Sequence, residues 1–221
     1  MLTKGAMLLG RTYRGWISPP AAVWENESRY SSNGTITTAT WQRLQTGLWA
    51  LDFNSDTPDH VEITCPQCNF TSEDYSIVTG IKIDDLSAFG EIFIRGLIAT
   101  DGFDFVLSPP GQVLASTFQA AASQYSRTPT GILSINTWYT LGLSRSGNSI
   151  KVFVDGIDET TFAGVHVDPL TSARTAKIGV CDDLTTYPFD GQIAFLKVFN
   201  YTLSAAQHYK IHQSTRTLFG V

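Results

Sequence analysis

Charge is scarce in this chain of 221 residues. Asp, Glu, Lys and Arg together make up 16%, and the formal net charge is −5. Lys and Arg occur singly, never in a run. A phosphate backbone is held by clustered cations, so nucleic acid is excluded as the main partner. Long apolar runs are missing too. The longest are a handful of residues, against the ~20 that a spanning helix needs, so no membrane segment is read. The run Ala6–Leu9 after Lys4 is too short for a signal-peptide core. The chain is therefore expected to stay in the cytoplasm where it is made, or to leave it within a larger particle.

Cysteine is limited to Cys65, Cys68 and Cys181. An odd count makes a poor disulfide framework. Cys65 and Cys68 form one CxxC with no second pair, so the four ligands of a structural zinc site are not supplied. They are expected to be loop or strand-end residues, either free or locally bridged. Catalytic patterns are missing as well. No Gly-x-Ser-x-Gly occurs. A glycan-cleaving strand would carry carboxylates two and more residues apart on one face. Here Glu62, Glu91 and Glu159 are followed at that spacing by Thr64, Phe93 and Thr161. Asp84-Asp85 and Asp182-Asp183 are adjacent, so in an extended segment their side chains point to opposite faces. The chain is read as non-catalytic, with glycan hydrolysis the less favoured alternative.

What is present is a succession of short alternating runs separated by turn residues, the signature of an antiparallel sandwich. The clearest stretch is Thr137–Phe162. Tyr139, Leu141 and Leu143 alternate with Trp138, Thr140 and Gly142; Ile150, Val152 and Val154 alternate with Lys151 and Phe153. Asp155-Gly156 is a favoured hairpin dipeptide. A third run, Ile157–Phe162, completes a predicted meander. Trp138, Tyr139, Val152 and Val154 are expected to hold two sheets together. Further strands are predicted near Thr35–Ala39 and over Gly47–Phe53, His60–Thr64, Tyr75–Ile83, Glu91–Ala99, Gly102–Leu107, Val113–Phe118 and Ala176–Val180. Ala120–Thr130 reads as a loop. Gln192–Phe199 is apolar on both faces, with Ile193 and Phe195 on one and Ala194, Leu196 and Val198 on the other, so it should lie centrally or under another element. A short helix is expected from Ser204, whose capping box closes with Gln207, to about Gln213. Residues 1–34 read as an N-terminal arm or irregular lead-in and 35–221 as one jelly-roll domain.

The order of these pieces carries a resemblance. Trp138-Tyr139, the strand ending in Val154-Asp155-Gly156, Lys177-Ile178-Gly179, Phe189-Asp190-Gly191, the run Ile193–Asn200 and Leu203-Ser204 follow one another as in the LamG-like, concanavalin A-like jelly rolls. The resemblance covers about residues 35–213. It implies two curved antiparallel sheets with a short C-terminal helix, and a ligand at the rim loops or on the concave face. Stand-alone chains of this kind resemble phage and viral virion components, which implies a decoration, capsid or tail-associated protein on the virion surface. Its partners would then be capsid or tail proteins, or further copies through the arm. The alternative is a carbohydrate- or receptor-binding adhesion module, extracellular or on a cell surface. Some relatives hold calcium at the rim, so Asp182 and Asp183 are candidate Ca²⁺ ligands. Asp168, Asp182, Asp183, Tyr187 and Tyr125 are the candidate ligand-binding residues. Asp155, Gly156, Gly191 and Ser204 are candidate structural positions. His208 and His212 share a helix face, but with no third ligand they are read as packing residues.

Overall fold

A computed structural model describes residues 6–30, 32–120 and 122–220 of the chain, with the side chains of Leu8 and Leu9 outside that description. Residues 1–5 and Ser31 of the expected arm lie outside the described residues, as do Ala121 and Val221. The chain forms strands β1 (Ala6–Leu9), β2 (Val23–Trp24), β3 (Gly34–Thr37), β4 (Thr40–Arg43), β5 (Trp49–Phe53) and β6 (His60–Ile63). A 3-10 turn, Pro66–Cys68, leads to β7 (Tyr75–Ile83), β8 (Gly90–Leu97), β9 (Asp101–Ser108), β10 (Gln112–Gln119) and β11 (Ala122–Arg127). Then come β12 (Trp138–Ser146), β13 (Ser149–Val154), β14 (Ile157–Asp158), β15 (Phe162–Ala163), β16 (Ala176–Ile178) and β17 (Gly191–Phe199). Helix α1 (Ala205–Phe219) ends the fold.

These strands make two antiparallel sheets, the sandwich that the alternation predicts. One has eight strands, in the order β14-β13-β12-β7-β17-β5-β4 with β1 also on β17. The other has nine, in the order β15-β11-β10-β9-β8-β16-β6-β3-β2. Strand β17 serves two short partners, β5 along Gly191–Ile193 and β1 along Lys197–Phe199. Tyr139, Leu141, Leu143, Val152 and Val154 meet Phe93, Phe103, Phe105 and Val113 in the core between the sheets. A large apolar side chain taken fully out of water contributes about 1.5–3 kcal/mol, so these alternating faces drive the sheets together.

The outer face of the eight-stranded sheet is covered by α1. Ser204 caps it with the expected capping box. The helix runs past Gln213 to Phe219, because Ile211, Thr215 and Phe219 continue its buried stripe. Phe219 stacks on Trp138, ring centroids 4.6 Å apart, so Trp138 faces the helix and not the partner sheet. Gly142 lies under the ring of His208. This accounts for a strand glycine: a bare Cα lets the helix approach. The Asp155-Gly156 turn has positive φ at both residues, 51° and 81°. Asp155 accepts the amide of Thr140, and Gly156 packs on the backbone of Tyr209. Gly191 has φ 140° and leaves no room for a Cβ beside the Lys82 carbonyl.

Three further expectations are corrected. Ala122–Arg127 is a strand, not a loop. It pairs with β10 along six residues, and its polar composition suits a strand near the sheet edge. Ile157–Phe162 is not one third strand: Ile157–Asp158 pairs with β13 and Phe162–Ala163 with β11, so the segment crosses from one sheet to the other. In β17 a register shift between Ile193 and Phe195 changes the faces. Ile193, Leu196 and Val198 point into the core, while Ala194, Phe195 and Phe199 face the helix side. A bulge adds one residue and so reverses the alternation beyond it.

Candidate functional site

With α1 on one sheet, the outer face of the nine-stranded sheet carries no helix; its middle is buried, with Glu91, Ile94, Asp104, Val106, Ser116 and Lys177 each under 9% exposed, and its β11–β15 end is exposed. Register fixes what it displays. Phe103, Phe105 and Leu107 of β9 point into the core, so Asp104 and Val106 point out. Cross-strand partners then form two rows. One runs Tyr125, Ser116, Asp104, Ile94, Lys177; the other runs Phe162, Arg127, Leu114, Val106, Glu91. At one end Tyr125 and Phe162 stack with centroids 5.1 Å apart and are 37% and 44% exposed. The Arg127 guanidinium lies 5.7 Å and 5.5 Å from the two ring centroids. Flat exposed rings beside a guanidinium can take the C–H face of a sugar and donate hydrogen bonds to its oxygens.

The middle of this face holds two buried carboxylates, Glu91 and Asp104. Asp104 accepts the amide of Ser116. Glu91 accepts the Cys181 thiol at 3.3 Å through one oxygen, and its other oxygen has no partner. Among the described residues no Lys or Arg forms an ion pair with either. Burial therefore raises Asp104 to about 7, and burial together with the Asp104 charge raises Glu91 well above the usual carboxylate range. Burial and the nearby Glu91 push the Cys181 thiol up. The segment 181–188 covers the pair: the Glu91 amide donates to the Tyr187 carbonyl, and Tyr187 stacks on Phe89 at 4.7 Å. Sequence spacing missed the pair because its members sit on neighbouring strands.

The structure places the predicted residues as follows. Tyr125 belongs to the exposed end of this face. Tyr187 lies at the covered end of the same face. Asp168 receives the buried Arg145 guanidinium at 2.5 Å. That guanidinium also donates to the carbonyls of Thr71 and Gly147, so Asp168 ties down a loop. Asp182 pairs with Arg174 at 2.7 Å and Lys177 at 3.2 Å. Asp183 accepts from Thr185 and Thr186, and the Thr186 hydroxyl lowers its pKa. Asp182 is paired with two cations, Asp183 is exposed and bonded within its own loop, and the described residues contain no cluster of three or more His, Cys, Asp and Glu suited to a metal. His208 is buried, stacks on Phe153 at 3.9 Å and is held neutral by burial, at about 3; His212 bonds Thr140. Cys65 and Cys68 are bridged to each other, and Cys181 is free.

Two features lie elsewhere. A cleft of about 270 Å³ opens between the β12–β13 hairpin and the start of α1, lined by Ser144, Ser149, Lys151 and Thr202 among others. In the lead-in, Trp16 and Ile17 are each 87% exposed, and the Arg43 guanidinium lies 4.0 Å above the Trp16 ring.

Two antiparallel sheets packed face to face, with a C-terminal helix on one of them, make a jelly-roll sandwich. The chain belongs to the concanavalin A-like lectin/glucanases superfamily, whose laminin-G-like family model matches residues 54–207. Similar solved structures share the fold. Domain 4 of an extracellular arabinanase from Geobacillus stearothermophilus, in complex with arabinotriose, is 16% identical, with 95% of this chain and 100% of that chain covered and a TM-score of 0.69. A Trypanosoma rangeli sialidase is 18% identical, with 98% of this chain and 33% of that one covered and a TM-score of 0.66. The receptor binding domain of botulinum neurotoxin D is 12% identical, with 97% and 54% covered and a TM-score of 0.72. The chain thus spans about a third of the sialidase and about half of the neurotoxin domain. At these identities the likeness is one of fold. No curated protein matches by sequence.

Proposed function

We propose that the protein is a non-catalytic carbohydrate-binding module whose binding surface is the exposed β11–β15 end of the outer face of the nine-stranded sheet. The observation that carries this is the exposed Tyr125–Phe162 stack with Arg127 beside both rings. The arabinanase domain in complex with arabinotriose and the neurotoxin binding domain support a binding role for this architecture. They lend nothing to the virion decoration role expected from the stand-alone form. The burial of the carboxylate pair on this face supports the non-catalytic reading. Glu91 and Asp104 are 0% and 3% exposed, so neither can deliver a proton to a glycosidic oxygen in solvent. Calcium is not needed in this reading, since the Tyr125–Phe162 stack and Arg127 make the proposed site without Asp182 or Asp183.

A glycan array tests it, run with and without a chelator. Hits should survive the chelator. The hit glycan should bind at least tenfold more weakly to Tyr125→Ala and to Arg127→Ala, with unfolding midpoints close to the parent's, because all three side chains are partly exposed. Full affinity in a Tyr125→Ala/Phe162→Ala double variant would refute the site.

A further inference from the structure

Acid is unevenly placed along the chain. Of the 20 Asp and Glu, 18 lie in residues 52–190 and the other two are Glu25 and Glu27, while residues 1–51 and 191–221 hold eight of the 15 Lys and Arg. The fold gathers those two stretches: β4 and β5 make one edge of the eight-stranded sheet, β17 and β1 lie beside them, and α1 packs on the same strands. Glu25 and Glu27 are both taken by Arg11. Among the described residues Arg14, Arg43 and Arg216 form no ion pair. On this cationic side the loop from Gly15 to Pro20 stands beside the β4–β5 turn, which in turn meets the end of α1. The Gly15 amide donates to the Gly47 carbonyl at 2.9 Å, and the Thr46 hydroxyl donates to the Leu218 carbonyl at 2.6 Å. The Gly15 carbonyl accepts Arg43 Nε at 2.6 Å and Trp49 Nε1 at 3.2 Å, and Trp41 Nε1 donates to the Pro20 carbonyl at 3.0 Å. The loop is pinned at both ends, and between them it holds Trp16 and Ile17 out of the fold.

We propose that this loop docks the protein on an anionic lipid bilayer, with Trp16 and Ile17 entering the interface and Arg14, Arg43 and Arg216 facing the headgroups. Two exposed apolar side chains are too few for the core of a protein interface, which takes about 800 Å² per partner. They suit a bilayer, whose headgroup region accepts an amphipathic indole and whose acyl margin accepts an isoleucine. Arg43 lies against the Trp16 ring and so arrives at the headgroups with it. Charge selects the orientation. A negative leaflet attracts the side whose acids are already paired and repels the acid-rich remainder, which is how a chain of net charge −5 can dock on it. β4 faces β2 through Trp41 on Trp24, centroids 5.9 Å apart, whereas β13 faces β11. The loop and the Tyr125–Phe162 stack therefore sit at opposite edges of the sandwich, and docking leaves the stack clear of the bilayer.

Flotation tests this with vesicles free of glycolipid, made of phosphatidylcholine alone or of phosphatidylcholine with about one-third phosphatidylserine. The protein should float with the serine-containing vesicles and not with the others, and added salt should release it. Trp16→Ser/Ile17→Ser should bind at least about tenfold more weakly. Arg14→Gln/Arg216→Gln should also lose roughly tenfold or more, since each cation near such a surface contributes about fivefold. Both double variants should keep the parent's unfolding midpoint, because all four side chains are exposed. Tryptophan emission should shift to the blue on binding in the parent and not in Trp16→Phe. Tyr125→Ala should float like the parent, which separates a failure of this surface from a failure of the glycan site. No flotation with either vesicle, equal flotation with both, or binding left intact in Trp16→Ser/Ile17→Ser would overturn the proposal. A dimer found in place of flotation, and dissolved by the same double variant, would put a second copy on the loop and overturn it too.

Discussion

Gly142→Ala places one methyl group where the helix meets the sheet. Gly142 does not have a positive φ, so the backbone itself accepts alanine. The added Cβ would lie 2.6 Å from His208 Nδ1 and 2.7 Å from its Cε1. The imidazole cannot simply swing away. Phe153 stacks on it at 3.9 Å, and its Nε2 is 2.8 Å from the Ser144 hydroxyl. Overpacking of a filled site costs about 1–3 kcal/mol. Weakening the buried hydrogen bond adds about 1 kcal/mol. Reduced freedom of the unfolded chain returns about 0.4–1 kcal/mol. The net loss should be about 2 kcal/mol. Urea unfolding at pH 7 measures it, and a cycle with His208→Ala isolates the cause. In the His208→Ala background the same substitution should cost less than about 0.5 kcal/mol, since the ring it strikes is gone. A Gly142→Ala protein as stable as the parent, or an equal loss in both backgrounds, would refute the account of helix docking.

Other outcomes follow from the same contacts. Gly156→Val should destabilise by at least about 2 kcal/mol in the same assay without altering glycan binding: φ is 81°, and its Cβ would sit 2.4 Å from the Tyr209 Cα. Arg145→Met should cost about 3 kcal/mol by strandings of the Thr71 and Gly147 carbonyls, whereas Asp168→Asn, at an exposed carboxylate, should cost under about 1 kcal/mol; calorimetry separates the two. Asp104→Asn should stabilise the protein, and only as pH rises. A folded pKa near 7 against an ordinary 3.8 means the protonated form is the one the fold prefers. Stability attached to it is full below about pH 4, falls as pH rises, and is lost above about pH 7. At about 1.4 kcal/mol per pH unit the variant should gain up to about 4 kcal/mol at pH 8 and nothing at pH 4. Denaturant titrations at the two pH values check this, and an equal gain at both would contradict it.

Local pattern was enough for the sandwich. Period-2 alternation in β12 and β13, the Asp155-Gly156 turn and the Ser204 capping box each depend on neighbours a few residues away, and each stands where the sequence places it. The family-like order of these pieces extended that reading to the sheet arrangement. Errors came where a distant partner overrides local preference. Ala122–Arg127 is too polar to announce a strand, and becomes one because β10 supplies its hydrogen bonds. Ile157–Phe162 looks continuous, but its two ends are claimed by different sheets. The bulge in β17 leaves no mark in composition.

Of the candidate site, Tyr125 could be named from sequence; its partners Phe162 and Arg127 could not, because two pairings across β11 bring them together. Asp168, Asp182 and Asp183 looked like rim ligands because acids in loops are normally free. Arg145, Arg174 and Lys177, distant or on another strand, occupy two of them. Glu91 and Asp104 are thirteen residues apart on separate strands, and their shared burial exists only once β8 and β9 pair and residues 181–188 fold over them. The sequence by itself therefore determined the alternation, the turns and the family, which are properties of neighbours along the chain. The tertiary structure decided which end of the uncovered face is exposed, which charges are neutralised and which carboxylates lose water, because burial and charge pairing depend on groups that meet only in the fold.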